Sequence, residues 1–213
     1  SSRHLRKQPF AVTDTVFNQG VLGVLITHPA NAMVTDSAAA ATAMSTGFKT
    51  DNFMIGVTPD GKPVTTLIEA AKAAGKRTGL VTTTRVYDAS PAGFSVHSAS
   101  RSDSQSIVDQ YLVLEPDVLL GGGADYFLPV GVPGGKRKDA KDLIANFAAK
   151  GYAVARNTRE LKTASGTRLL GLFAEEDMEF EIDRNAAKEP STAEMTAAAL
   201  RVLSQVSPSG FVL

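Results

Sequence analysis

Val64-Thr65-Thr66-Leu67-Ile68-Glu69-Ala70-Ala71-Lys72-Ala73-Ala74-Gly75 runs directly into Lys76-Arg77-Thr78-Gly79-Leu80-Val81-Thr82-Thr83. In the first part Val64, Leu67, Ile68 and Ala71 share one face at helical spacing, and Gly75 supplies a C-terminal cap. In the second, Gly79 to Thr83 is a short strand-like run. The same pattern recurs along the chain. Asp139 to Lys150 carries Leu143, Ile144 and Phe147, closes at Gly151 and precedes Tyr152-Ala153-Val154. Pro190 leads into the capping box Ser191-Thr192-Ala193-Glu194. Met195, Ala199, Val202 and Val206 continue that helix toward the strand Gly210-Phe211-Val212-Leu213. Asp36 to Lys49 reads as an alanine-rich helix; Asp117 to Leu120 and Leu169 to Phe173 read as strands. Short apolar strands separated by helices predict an α/β fold with a largely parallel, buried sheet. Val130 to Lys138 reads as a surface loop whose Lys136-Arg137-Lys138 run is a solvated face.

The 213 residues suffice for one sizeable core or two small ones. Lysine plus arginine and aspartate plus glutamate each total 22, a formal net charge of zero, which argues against a nucleic-acid partner. The absence of cysteine excludes disulfides, thiolate metal sites and cysteine nucleophiles. No apolar run approaches the ~18 residues of a membrane span. The start, Ser1-Ser2-Arg3-His4-Leu5-Arg6-Lys7, is basic without an apolar run behind it, so no signal peptide is visible.

Three stretches carry chemistry. Val34-Thr35-Asp36-Ser37-Ala38-Ala39-Ala40-Ala41-Thr42-Ala43 sets a serine at the start of a helix of small residues. Free N–H groups and the helix dipole favour an anion there, and Ser37 could attack a phosphate so held. Alternatively, Asp36 or Ser37 is only an N-cap. In Thr82-Thr83-Thr84-Arg85-Val86-Tyr87-Asp88-Ala89-Ser90-Pro91 a strand ends in oxygen-bearing side chains. Asp88 and Ser90 are hard donors suited to magnesium, and their spacing places both on one face of an extended segment. An ordinary polar loop would also fit. In His97-Ser98-Ala99-Ser100-Arg101, Arg101 could clamp two phosphate oxygens, or lie on the surface; His97 reads as structural.

Taken in order, Asp-Ser-Ala-Ala-x-x-Thr-Ala, Asp-Ala-Ser-Pro-Ala and His-x-x-x-Arg resemble the alkaline phosphatases. So do Met44 to Thr50, Asp117 to Gly123, Gly171-Leu172-Phe173 with Asp177-Met178, and Pro190 to Thr196, from about Val34 to Leu213. The resemblance implies a three-layer αβα sandwich and hydrolysis of small phosphate monoesters. It assigns Ser37 as a zinc-bound nucleophile that forms a phosphoseryl intermediate. Arg101 would hold the non-bridging phosphate oxygens, and Asp36 would orient Arg101. Asp88 and Ser90 would belong to a magnesium site. It further implies Zn2+ and Mg2+ as cofactors, inorganic phosphate as product, a homodimer, and a periplasmic or secreted location.

The departures from the family pattern set further expectations. No Gly-Asp-Gly segment precedes Ser37, and the family's remaining zinc ligands fall beyond Leu213. His4, His28 and His97 match none of them. Residues 1–213 are therefore expected to be part of a single catalytic domain whose first strand and C-terminal half are absent. Alone, the chain is expected to be inactive or very weak, and to expose unpaired edges and apolar surface, which predicts aggregation or partner dependence. The alternative is a truncated, non-catalytic module that binds phosphate or a partner.

Overall fold

The structure is a computed structural model that describes residues 16–21, 23–205 and 209–213. In chain order its elements are α1 (Ser37–Thr46), α2 (Leu67–Ala73), β1 (Arg77–Arg85), α3 (Ala89–Gly93), α4 (Ser104–Leu114) and β2 (Val118–Gly122). After a 3-10 turn (Ala124–Tyr126) come α5 (Leu143–Ala149), β3 (Ala153–Ala155), α6 (Thr158–Thr163), β4 (Leu169–Leu172), α7 (Thr192–Ser204) and β5 (Phe211–Val212). The strands form one sheet in the order β3-β4-β2-β1-β5, and every pairing is parallel.

Alternate residues of the central strands feed two separate cores, which makes the architecture three-layered. Leu119 of β2 and Leu170 and Leu172 of β4 pack with Ile107, Val108 and Tyr111 of α4 and Leu143 and Phe147 of α5. Val118 and Leu120 of β2 and Leu169 of β4 pack instead with Leu161 of α6 and Met195, Ala199, Val202 and Leu203 of α7. All five residues of β2 and all four of β4 are buried. The continuous apolar runs read from the sequence thus reflect helices on both faces.

Caps set the helix boundaries, and they shorten several expected spans. Helix α1 ends at Thr46 rather than Lys49, because Gly47 turns left-handed at φ 76° and returns its N–H to Ala43 O. Helix α2 starts at Leu67 rather than Val64, because Thr66 and Glu69 form a reciprocal capping box. Helix α5 starts at Leu143 because the Asp142 carboxylate accepts from Ala145 N–H; Asp139, the expected start, pairs with Arg137. Helix α7 is described to Ser204, and Val206 lies outside the described residues. Helices α3, α4 and α6 had no counterpart in the sequence reading. Asp103 caps α4 through Ser106 N–H, and Asn157 caps α6 through Glu160 N–H.

The basic run 136–138 is not a uniformly solvated face. The Arg137 side chain is fully buried, held by Asp109 at 2.8 Å, Asp139 at 2.7 Å and Tyr126 O at 3.1 Å. Satisfying every guanidinium nitrogen is what permits a cation inside the fold, and it ties the 128–142 loop to α4.

The α7 capping box gives a pH test. The Ser191 N–H, followed by Lys162 at 2.9 Å, holds the Glu194 carboxyl down to about 2. A lowered value means stability that is present above the ordinary glutamate range and lost as pH falls toward about 2. Glu194→Gln is expected to lower the urea midpoint slightly at neutral pH, by at most about 1 kcal/mol. The gap from the parent is expected to close between pH 5 and 2, roughly the interval between the two ionisation values.

Strand β5 pairs with β1 only at Arg77↔Phe211 and Thr78↔Val212. Most of the outer edge of β1 therefore lacks a strand partner among the described residues. No helix among them is long and apolar enough to cross a membrane.

Candidate active site

Three chain segments converge beyond the carboxyl end of β1, where open α/β sheets hold their ligands. They are the start of α1, the β1–α3 connection, and the loop before α4.

At the first, Asp36 takes the N-cap, with extended backbone and its carboxylate accepting from Ala39 N–H at 2.9 Å. Ser37 is therefore the first helical residue, and capping makes no demand on its hydroxyl. Its side chain is exposed, and Oγ accepts from Arg101 Nη1 at 2.9 Å. The N–H groups of Ser37 and Ala38 precede the first hydrogen bond of the helix, Ala40 N–H to Asp36 O. They thus belong to the electropositive start of α1. The small residues behind it let backbone approach backbone. A Cβ added at Gly93 of α3 would lie 2.6 Å from Ala41 Cβ. Ala38, Ala39, Ala41 and Thr42 are all buried.

Arg101 is the hub of the site. Nη1 also donates to Asp36 Oδ2 at 3.2 Å, and Nη2 donates to Asp88 Oδ1 at 3.0 Å. The three side chains are 15 to 25% exposed, enough burial to strengthen the pairing while leaving the group accessible. Burial by itself would raise the Asp36 carboxyl, but the N–H groups of Ala39 and Phe53 and the Arg101 guanidinium outweigh it and hold the carboxyl below the usual range. Asp36 therefore stays ionised as acid is added, and its contribution to stability is lost only below the ordinary aspartate range.

The second segment departs from the expected shape. Asp88 is extended at φ −65° and ψ 160°, but Ala89 already begins α3, so Asp88 and Ser90 do not share one face of an extended segment. Pro91 explains the change, since proline suits the first turn of a helix. The Asp88 carboxylate makes no cap bond, which leaves it for Arg101. Ser90 is exposed and lines a cleft of about 310 Å³ with Thr82, Val212 and Leu213.

His97 is structural. Its ring nitrogens face Gly56 O at 2.6 Å and Glu69 Oε1 at 2.9 Å, and its backbone is bound twice by the Gln110 side chain. His28 contributes its carbonyl oxygen to Lys49 Nζ; His4 lies outside the described residues.

Sequence reasoning missed two participants, and it gives no sign that Asp88 also pairs with Arg101. Asn52 and Phe53, which touch Asp36, carried no local signal because they sit 16 and 17 residues away from it.

Asp88 and Ser90 are the hard oxygen donors that magnesium accepts alongside water, so their chemistry fits part of a magnesium shell. Among the described residues no three histidine, aspartate or glutamate side chains gather to hold a metal.

A family model described as alkaline phosphatase matches residues 2–213. Alkaline phosphatase 4 of Bacillus subtilis is 38% identical over 207 residues, a match covering 93% of this chain and 42% of the relative. The repressible alkaline phosphatase of Saccharomyces cerevisiae is 39% identical over 204 residues, covering 87% of this chain and 36% of the relative. The crystal structure of Thermus thermophilus alkaline phosphatase superposes on the whole chain at a TM-score of 0.91 and 41% identity, using 44% of its own length. A mutant of TAB5 alkaline phosphatase with Mg bound in its M3 site superposes at a TM-score of 0.76 and 28% identity, covering 95% of this chain and 58% of its own. The chain spans less than half the length of the curated relatives it matches.

Proposed function

Since the chain belongs to the alkaline phosphatase family, we propose that residues 1–213 form part of one catalytic domain that hydrolyses small phosphate monoesters through a phosphoseryl intermediate on Ser37. The observation that carries this is the division of labour at α1. Asp36 does the capping, so Ser37 Oγ stands free at a helix N-terminus, 2.9 Å from a guanidinium.

In this reading the Ser37 oxygen attacks phosphorus, the ester oxygen leaves, and water then attacks the phosphoserine to release inorganic phosphate. Arg101 supplies a planar fork to two non-bridging oxygens, exchanging its contacts with Ser37 and Asp88 for contacts with substrate. Asp36 keeps its grip on Nη1 and holds the fork in register with the serine. The start of α1 adds its dipole to the incoming charge.

Two carboxylates against one guanidinium leave the cluster at a formal −1, so a phosphate dianion needs additional positive charge to settle there. Bound zinc and magnesium would supply that charge and would acidify the attacking hydroxyl. Asp88 and Ser90 would hold the magnesium. The zinc ligands besides Ser37 are assigned to the part of the relatives' length that this chain does not span. By family resemblance the protein is a homodimer in the periplasm or outside the cell.

The test, on the intact protein, is hydrolysis of a chromogenic phosphate monoester with zinc and magnesium, together with a titration of inorganic phosphate. Arg101→Ala is expected to weaken phosphate binding at least tenfold, the scale of a lost bidentate charged contact. Phosphate affinity that survives this change would sink the assignment of Arg101.

A further inference from the structure

The start of α1 and the Arg101 loop are 65 residues apart in sequence, and a dipeptide that belongs to neither joins them. The Asn52 side-chain amide accepts from Asp36 N–H at 2.9 Å and donates to Val34 O at 3.0 Å. It thereby clamps the two peptides flanking Thr35, immediately ahead of Ser37. Its own N–H donates to Asn31 Oδ1 at 3.1 Å.

Phe53 faces both ways. Its N–H donates to Asp36 Oδ2 at 3.2 Å, and its carbonyl accepts from Arg101 N–H at 2.7 Å. To do so it sits at φ 72° in a turn closed by Met54 N–H to Asp51 O, a conformation that strains a non-glycine residue. Strain of this kind persists where surrounding contacts over-determine it, and here those contacts are the nucleophile's neighbour and the arginine's own backbone.

We propose that Asn52 is a positioning residue for this site: through Asp36, and with the backbone of Phe53, it sets the register between the Ser37 hydroxyl and the Arg101 guanidinium. The proposal rests on reading Ser37 and Arg101 as the phosphate pocket. Asn52 itself makes no hydrogen bond to Ser37 or to Arg101. It acts by fixing the one carboxylate that both the cap and the guanidinium share. Releasing the Asp36 peptide lets that carboxylate follow α1 or Arg101, but not both at the distances seen.

The experiment uses the full chain and its Asn52→Ala variant, with two readouts. The first is rotation of the Arg101 guanidinium, followed through its side-chain N–H resonances without phosphate or metal; Arg101→Ala assigns them. Restricted rotation in the parent, released in Asn52→Ala while the melting transition stays cooperative, supports the proposal. Unchanged resonances overturn it. The second is the affinity of the intact protein for inorganic phosphate with zinc and magnesium supplied, expected to fall about tenfold in Asn52→Ala. Affinity within twofold of the parent also overturns the proposal. Phosphate binding that is absent in the parent, or that survives Arg101→Ala, sinks the phosphate-pocket reading instead and leaves the rotation measurement decisive for Asn52. Asn52→Gln, with the same amide one methylene further out, reads both quantities if the alanine variant does not fold.

Discussion

In the intact protein of which residues 1–213 are proposed to be part, Ser37→Ala is expected to lower monoester hydrolysis by about four orders of magnitude or more, the scale seen when a serine nucleophile is deleted. It is also expected to leave the melting temperature essentially unchanged. Both halves follow from the cap. Asp36 makes the bond to Ala39 N–H, so the helix start survives without the serine, and alanine is the better helix former. Asp36→Ala is expected to behave oppositely on stability. It removes the cap, worth about 1 kcal/mol, and also the acceptor for Phe53 N–H and Arg101. Initial rates with zinc and magnesium supplied, thermal melts of both variants, and a search for phosphate on the Ser37 peptide check the pair. Full activity in Ser37→Ala, or a melting loss as large as that of Asp36→Ala, would return Ser37 to the role of a cap.

The second large effect is on folding. Gly122→Ala is expected to destabilise the chain by about 3 kcal/mol or more, the upper range for forced overpacking. A Cβ at this last residue of β2 would overlap the Glu176 carbonyl oxygen outright. That oxygen cannot retreat freely, because it also accepts from Gly123 N–H at 2.8 Å. The segment after β4 is held from both sides: Ala124 N–H binds Ala174 O, and Asp125 N–H binds Glu175 O. Asp177 Oδ1 accepts from Arg85 N–H at the end of β1. The clash therefore spreads to the strand end that leads to Asp88. Urea denaturation of the variant checks it; a loss under about 1 kcal/mol would mean that the crossing segment yields more easily than these bonds imply.

The parallel sheet was readable because its strands announce themselves locally. Val118-Leu119-Leu120 and Leu169-Leu170 are apolar on consecutive residues, a pattern that suits a strand covered on both faces. Glycine caps and the Ser191–Glu194 box were equally local. Helix α4 was missed because its buried positions, Ile107, Val108 and Tyr111, are interleaved with Ser106, Asp109 and Gln110, which blunts the apolar period. Arg137 was misjudged because a basic run looks the same from sequence whether or not two aspartates wait behind it.

For the site, the local chain supplies the ingredients: a serine at the start of a small-residue helix, an acidic strand end, an arginine on a loop, and the family pattern that orders them. Short-range chemistry is sufficient for that, because caps and strand ends are settled within a few residues. Long-range packing sets what each does there. Packing of α1 on α3, and the pairing of Ile55 with Ser98, bring the three segments together. Only then does Asp88 turn to Arg101 and Asn52 reach the peptide ahead of the serine. The contacts that Arg101 and Asn52 make there span 13 to 65 residues of chain, and a hydrogen bond over such a separation depends on how the whole layer packs, not on the residues next to it.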